Sequence, residues 1–198
     1  LCDPEGLAET DAMFRQALAP GAAASRAELV EAADLYFEGI ERDDGGMIPF
    51  AQHCYRFENG VRVTESELLE EDTIYTKALA AQSAADQISS KFFHYIKRIR
   101  DRRYPIVDVE RGLVAGIVMF DHPADDLSVK LPDGSALPMP PEALWPSSAL
   151  LYYLFKLRDG KIAGLAVNYM MLPYGAPSPW PAGEPAAVQN VLNAKVGA

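Results

Sequence analysis

Apolar residues recur at helical spacing between Ser25 and Arg42: Leu29, Ala32, Ala33, Tyr36, Phe37 and Ile40. That period gathers them on one side of a helix predicted over 26–42. Ser25 with Glu28 three positions later is the capping-box pattern, and Asp43–Asp44–Gly45–Gly46 ends the helix. A second polar–apolar stretch, 82–93, predicts another helix that runs into His94. The period then changes to two. Residues 97–108 alternate as a strand loaded with arginine, turn at 109–112, and return as 113–122. Gly112 can take the positive φ such a turn needs. The return strand is apolar on both faces and is predicted to lie inside a sheet. Residues 147–158 and 161–172 form a second hairpin over Asp159–Gly160, its last strand apolar throughout and predicted to be central. A shorter hairpin, 53–57 with 61–63, closes over Asn59–Gly60. Residues 47–50 predict a short helix or turn, and 64–72 an exposed acidic loop or helix.

The order of elements implies an α+β fold, with helices packed on one face of a curved antiparallel sheet and a pocket enclosed between them. Residues 1–24 read as an N-terminal arm or linker, with one short helix over 6–15. Residues 25–174 form the domain, and 175–198 a proline-rich C-terminal tail with a short helix over 186–196. The segment 123–145 carries five prolines and little periodicity. So long an irregular stretch is expected to cover something. The doubly apolar strands leave an outer sheet face for which a homo-oligomer, a dimer or trimer, is the expected cover unless 123–145 supplies it.

Charge and composition narrow the partners. The net charge of −10 over 198 residues argues against nucleic acid, whose phosphates would be repelled. No run approaches the roughly 18 apolar residues that span a bilayer, so no membrane partner is expected. Cys2 and Cys54 are the only cysteines and form no metal-ligand pattern, which fits a reducing cytoplasm and no metal. A phosphate loop and a dinucleotide fingerprint are both missing, so no cofactor is expected.

Two stretches carry a family resemblance. They are Pro49–Phe50–Ala51 followed by Cys54–Tyr55–Arg56–Phe57–Glu58–Asn59–Gly60, and Ile99 to Asp108 followed by Phe120–Asp121–His122. With the element order they resemble the nuclear transport factor 2-like superfamily, home of the SnoaL-like cyclases, ketosteroid isomerase and scytalone dehydratase, over about Ser25 to Tyr174, and the resemblance implies that family's cone-shaped, curved antiparallel sheet wrapped around N-terminal helices. The nearest branch resembles the sphingomonad diarylpropane lyases, which remove formaldehyde from lignin-derived dimers without a cofactor. Likeness to scytalone dehydratase implies roles residue by residue. His94 stands where that enzyme's histidine follows the third helix. Glu41, with Asp43 close by, stands nearest its acid at the end of the first helix. Asn168 lies on the strand of its ligand-binding asparagine. Its second histidine falls on Ile117, so a two-histidine mechanism is not implied.

The residues themselves give a candidate list. His94 is the candidate general base or acid, since imidazole exchanges protons near neutral pH. Glu41 is expected to orient it, the competing reading being a solvated helix end. His53, beside Tyr55, is a second proton carrier or a surface histidine. Arg100 and Arg102 alternate with Asp101 and Arg103, so one pair faces inward to bind an oxyanion, phenolate or carboxylate. A salt-bridge ladder with Asp108, Glu110 and Asp121 is the alternative. Tyr36, Tyr55, Tyr104, Tyr153 and Tyr169 either line a pocket as hydrogen-bond donors or fill the core. Asn168 is the polar exception in the last strand, and if buried it needs a ligand or an arginine. His122 reads as a structural residue at a hairpin end. The catalytic set is thus His94, Tyr55, Glu41 and Arg100, and the binding set Tyr36, His53, Arg102, Tyr104 and Asn168. The expected activity is that of a cofactor-independent lyase working by acid–base chemistry on a hydrophobic aromatic small molecule. The alternatives are a non-catalytic ligand-binding or assembly domain, and a polyketide cyclase or isomerase.

Overall fold

The computed structural model describes residues 2–9, 11–67, 77–127, 130, 134–136, 139 and 144–180. Its elements are α1 (Pro4–Ala8), α2 (Arg26–Glu41), β1 (Phe50–Glu58), β2 (Val61–Arg62), α3 (Lys77–Ala80), α4 (Ala84–Ser89), β3 (Arg98–Asp108), β4 (Leu113–His122), β5 (Ser147–Arg158) and β6 (Lys161–Pro173). The α2 helix starts on the expected box: Ser25 Oγ accepts from Glu28 N, and the Glu28 carboxylate accepts from Ser25 N at 2.8 Å. Its apolar stripe is buried as predicted. The 82–93 stretch is shorter than its pattern suggests. Lys91 turns left-handed at φ 66, so regular helix stops at Ser89 and the aromatic run that follows is a compact turn. Residues 6–15 likewise split into α1 and a single turn at Ala12–Phe14, because the Asp11 carboxylate caps Met13 N at 2.8 Å. The predicted acidic stretch beyond 67 up to 72, the 186–196 helix, and 128–129, 131–133, 137–138 and 140–143 of the 123–145 segment lie outside the described residues.

One curved six-stranded sheet, open at β2 and β3, runs in the order β2-β1-β6-β5-β4-β3. The expected fully antiparallel sheet is corrected at one place: β1 lies parallel to β6, with Arg56 opposite Leu165. Only strands joined by tight turns are forced to be antiparallel, and β1 reaches β6 across most of the chain. The interior positions foreseen for β4 and β6 are found.

The sheet's two faces are distinct. Val118, Phe120, Tyr153, Phe155, Leu165 and Val167 look inward onto α2, where the Phe37 and Tyr153 rings stand edge-on at 5.1 Å. The outer face is partly covered by the chain's own flanks. Phe14 is buried against Phe57, and Lys156 Nζ donates to the carbonyls of Gln16 and Arg111. At the other end Arg100 donates to Ala176 O at 2.7 Å, Arg103 to Trp180 O at 3.0 Å, and Gly175 N to Ser148 Oγ at 3.0 Å. Ile106, Tyr152 and Met170 remain exposed.

Candidate active site on the inner sheet face

Strand β1 points Cys54 and Arg56 into the core, where both are buried. The Arg56 guanidinium lies 4.7 Å from the Phe93 ring centroid; its Nε stands 3.2 Å from Glu58 Oε1 and its Nη2 donates to Gln87 Oε1. Tyr36 from α2 and Tyr153 from β5 hydrogen-bond to one another beside Arg56, their ring centroids 5.6 Å apart. Burial, opposed by Arg56 and reinforced by Glu58, pushes the Tyr36 hydroxyl up to about 12. Burial also raises Tyr153, with Tyr36 and Glu58 adding to it, and raises Tyr95, with Glu58 and Tyr169 adding. All three hydroxyls therefore stay protonated at neutral pH and act as donors. Withdrawing an Arg–Glu pair from water costs several kcal/mol per ion, so such a pair seldom sits in a core without further use.

A second constellation forms where α2 ends. The chain leaves α2 through Asp43, whose φ of 53 is left-handed. Asp43 Oδ2 and His94 Nδ1 lie 2.5 Å apart, a separation that suits Nδ1–H donating to the carboxylate. His94 Nε2 looks toward Asp126 Oδ2 at 3.9 Å, and the imidazole is 36% exposed. The expected Glu41–His94 pairing does not form. Glu41 faces β3, accepting from Ile99 N at 2.7 Å and from Arg102 at 2.5 Å, and the left-handed step brings Asp43 over the 90–96 turn in its place.

Residues 22–167 match the model of a family described as a domain of unknown function, DUF8021. The chain belongs to this family. No curated protein matches it. It is similar to the solved structures of AclR from Streptomyces galilaeus (13% identity, 74% of this chain and 91% of that one, TM-score 0.44) and AusH from Aspergillus nidulans (9%, 74% and 86%, 0.43). It is also similar to a protein of unknown function with a cystatin-like fold from Methylobium petroleophilum PM1 (12%, 83% and 84%, 0.39).

The rest of the predicted set is dispersed across the DUF8021 domain. His53 and Tyr55 lie on the opposite face of β1 from Arg56. His53 is exposed and paired with Glu65 at 2.8 Å, and Arg62 stacks over Tyr55 at 3.9 Å. Arg100 and Arg102 do not share a face. Asp101 takes φ 55 and the β3–β4 register slips there, so a bulge breaks the alternation. Arg100 goes outward to Asp121 at 2.7 and 3.1 Å. Arg102 turns inward and is held by Glu38 at 2.8 Å, Asp34 at 3.4 Å and Glu41. Tyr104 donates to Asp34 at 2.5 Å; burial first, and that carboxylate second, raise its hydroxyl. Asn168 is exposed on the outer face opposite Tyr152, so its amide needs no buried partner.

Of the predicted set, Tyr36 alone sits in the buried cluster, joined by Tyr153 from the tyrosine list, with the half-buried Tyr169 packed against the core. Arg56, Glu58, Gln87 and Tyr95 were missed. Reading 53–57 as a strand does not say which of its faces is inner, and 54/56/58 is the inner one. The signal was Cys54, the one small apolar residue on that alternate face. Among the described residues no group of His, Cys, Asp and Glu could hold a metal ion, and no helix is long and apolar enough to cross a membrane. The cluster itself offers neutral hydroxyl donors, a cation and a carboxylate within one apolar surround.

Proposed function

We propose that this DUF8021 domain is a cofactor-independent acid–base enzyme acting on a hydrophobic aromatic small molecule that bears an oxygen function. The observation that carries the reading is the Arg56–Glu58 pair set among the hydroxyls of Tyr36, Tyr95 and Tyr153 inside an apolar core. The tyrosine O–H groups and the guanidinium supply donors to an oxyanion as it develops, without solvent reorganisation. Glu58 receives the proton the substrate gives up. Phe93 and the aromatic wall of Phe37 and Phe120 suit an aromatic ring. His94, oriented by Asp43 and open to water, exchanges that proton with solvent.

Lyase chemistry fits these parts, since an anion formed on a phenolic oxygen drives loss of water or of a one-carbon fragment. A lignin-derived diarylpropane losing formaldehyde is the substrate the sequence resemblance implies. Polyketide cyclisation or isomerisation would use the same groups. One observation favours a non-catalytic domain instead: Arg56 at 0%, Tyr36 at 1% and Tyr153 at 6% exposure are closed off from solvent, as members of a structural polar cluster would be.

Incubation with a panel of phenolic dimers, followed by mass spectrometry for loss of water or formaldehyde, separates these readings. Turnover is expected with the wild type, and roughly a hundredfold less with Glu58→Gln. Binding without turnover assigns the domain to ligand capture. Failure of every aromatic probe to bind sinks the enzymatic reading.

A further inference from the structure

Gln87 is a fully buried amide on α4, and every polar atom of its side chain is engaged. Its Nε2 donates to Val63 O at 2.7 Å and to Leu79 O at 2.6 Å, and its Oε1 accepts from Arg56 Nη2. The two carbonyls decide which way the amide points. Rotated by half a turn, the side-chain oxygen would face two carbonyl oxygens, and the NH2 group would face a guanidinium that cannot accept. The oxygen is therefore aimed at Arg56 by the backbone around it.

The strand that carries Arg56 is tied to the same place. Arg56 N donates to Thr64 Oγ1 at 2.8 Å, Thr64 Oγ1 donates to Cys54 O at 3.1 Å, and Val63 N donates to Arg56 O at 2.8 Å. Val63 thus fixes the Arg56 backbone through its N–H and the Gln87 amide through its carbonyl. The guanidinium is a planar fork whose directions follow from where its ends are held. Gln87 holds one end, Glu58 stands at Nε, and Phe93 covers one face.

We infer that Gln87 is a positioning residue of the candidate site: the Val63 and Leu79 carbonyls lock its amide so that its oxygen fixes the plane of the Arg56 guanidinium and keeps Nε turned to Glu58. This rests on the reading above that Arg56 stabilises an oxyanion. Gln87 touches no substrate. It sets the direction in which Arg56 presents its donors. Without it the fork rotates about its stem and the donors no longer converge with the tyrosine hydroxyls.

The test uses 4-nitrophenol, whose phenolate is visible, as an aromatic oxygen acid. Bound to the wild type, the dye is expected to ionise at lower pH than in water. Gln87→Met keeps the length of the side chain and removes the acceptor. It is expected to bind the dye and to move its ionisation back by about one pH unit, tenfold in the constant. If the wild type leaves the dye's ionisation unchanged, the reading of Arg56 as an oxyanion donor falls and the inference falls with it. If the wild type shifts the dye and Gln87→Met shifts it equally while losing thermal stability, Gln87 is structural only, and the inference alone is overturned. Should Gln87→Met fail to fold, NMR of wild-type protein labelled with 15N-arginine decides. A held Arg56 gives separate Nη resonances in slow exchange, whereas averaged Nη signals overturn the inference.

Discussion

Asp43 Oδ2 and His94 Nδ1 lie 2.5 Å apart although 51 positions separate them in the chain. The contact depends on the left-handed step at Asp43, and it leaves Nε2 as the side of the ring that can exchange protons. His94→Ala is expected to keep the fold and to lower turnover by roughly a hundredfold or more. Asp43→Asn keeps the backbone and should cost part of that loss by weakening the hold on the ring. Steady-state kinetics on a turned-over aromatic substrate provide the check. Near wild-type kcat in His94→Ala would move the proton transfer wholly to Glu58 and the tyrosines.

The Arg56–Glu58 pair, its guanidinium buried and its carboxylate mostly so, gives a stability signature. Arg56→Met or Glu58→Gln alone strands its partner and should cost about 3–5 kcal/mol. The double variant is expected to cost far less than the sum, because neither charge is then left unpaired. Urea unfolding of the four proteins completes the cycle. Additive losses would mean that the two side chains do not depend on one another.

How much of this was legible beforehand differs by level. The α2 helix, both long hairpins and the interior places of β4 and β6 follow from period and turn chemistry, and all are found. The parallel β1–β6 pairing is not written in any local pattern, since it joins strands that are neighbours only in the finished sheet. The arrangement of the candidate site was less legible, for two physical reasons. Reading 53–57 as a strand leaves its faces open, and a one-residue step exchanges them, so His53 and Tyr55 were singled out and Arg56 and Glu58 were not. The bulge at Asp101 then separated Arg100 from Arg102, which strict alternation had placed together.

Tyr36 supplies a test at alkaline pH. Burial first, and Glu58 with it, raise the hydroxyl to about 12 against the opposing pull of Arg56, so the folded state favours the neutral form. Its contribution to stability is fully present below the ordinary tyrosine value near 10 and is lost as pH rises from there toward 12. Ultraviolet titration should show exposed tyrosines ionising first, with Tyr36, Tyr95 and Tyr153 following only on unfolding. Smooth ionisation of all nine tyrosines near pH 10 in folded protein would contradict the buried cluster.

Asp121 provides the acid counterpart. Burial works against its charge, but the hydrogen bonds from Arg100 and Ser148 outweigh it and hold the carboxyl below its usual range. The stabilisation is present above the unfolded carboxylate value and is lost as pH falls through the lower folded value. Because Arg100 also holds Ala176, acid should loosen the 174–180 segment. Stability measured against pH should be flatter in Asp121→Asn than in wild type over the acidic limb, and amide exchange around Gly175 should rise in the variant. Equal slopes would remove Asp121 from this role.

The parallel seam between β1 and β6 bears on when the site comes into being. Arg56 meets Leu165 only after more than half the chain has been made and its ends brought together. Local hairpins close early, whereas a pairing of such separation bears the loop-closure entropy before any contact rewards it. The β3–β4 and β5–β6 hairpins can therefore form while Arg56 and Glu58 still face water. A chain halted on the ribosome before β6 emerges would carry its acid, its base and its tyrosines without a site. In this architecture the cluster around Arg56 is assembled only when β1 and β6 meet and the sheet closes.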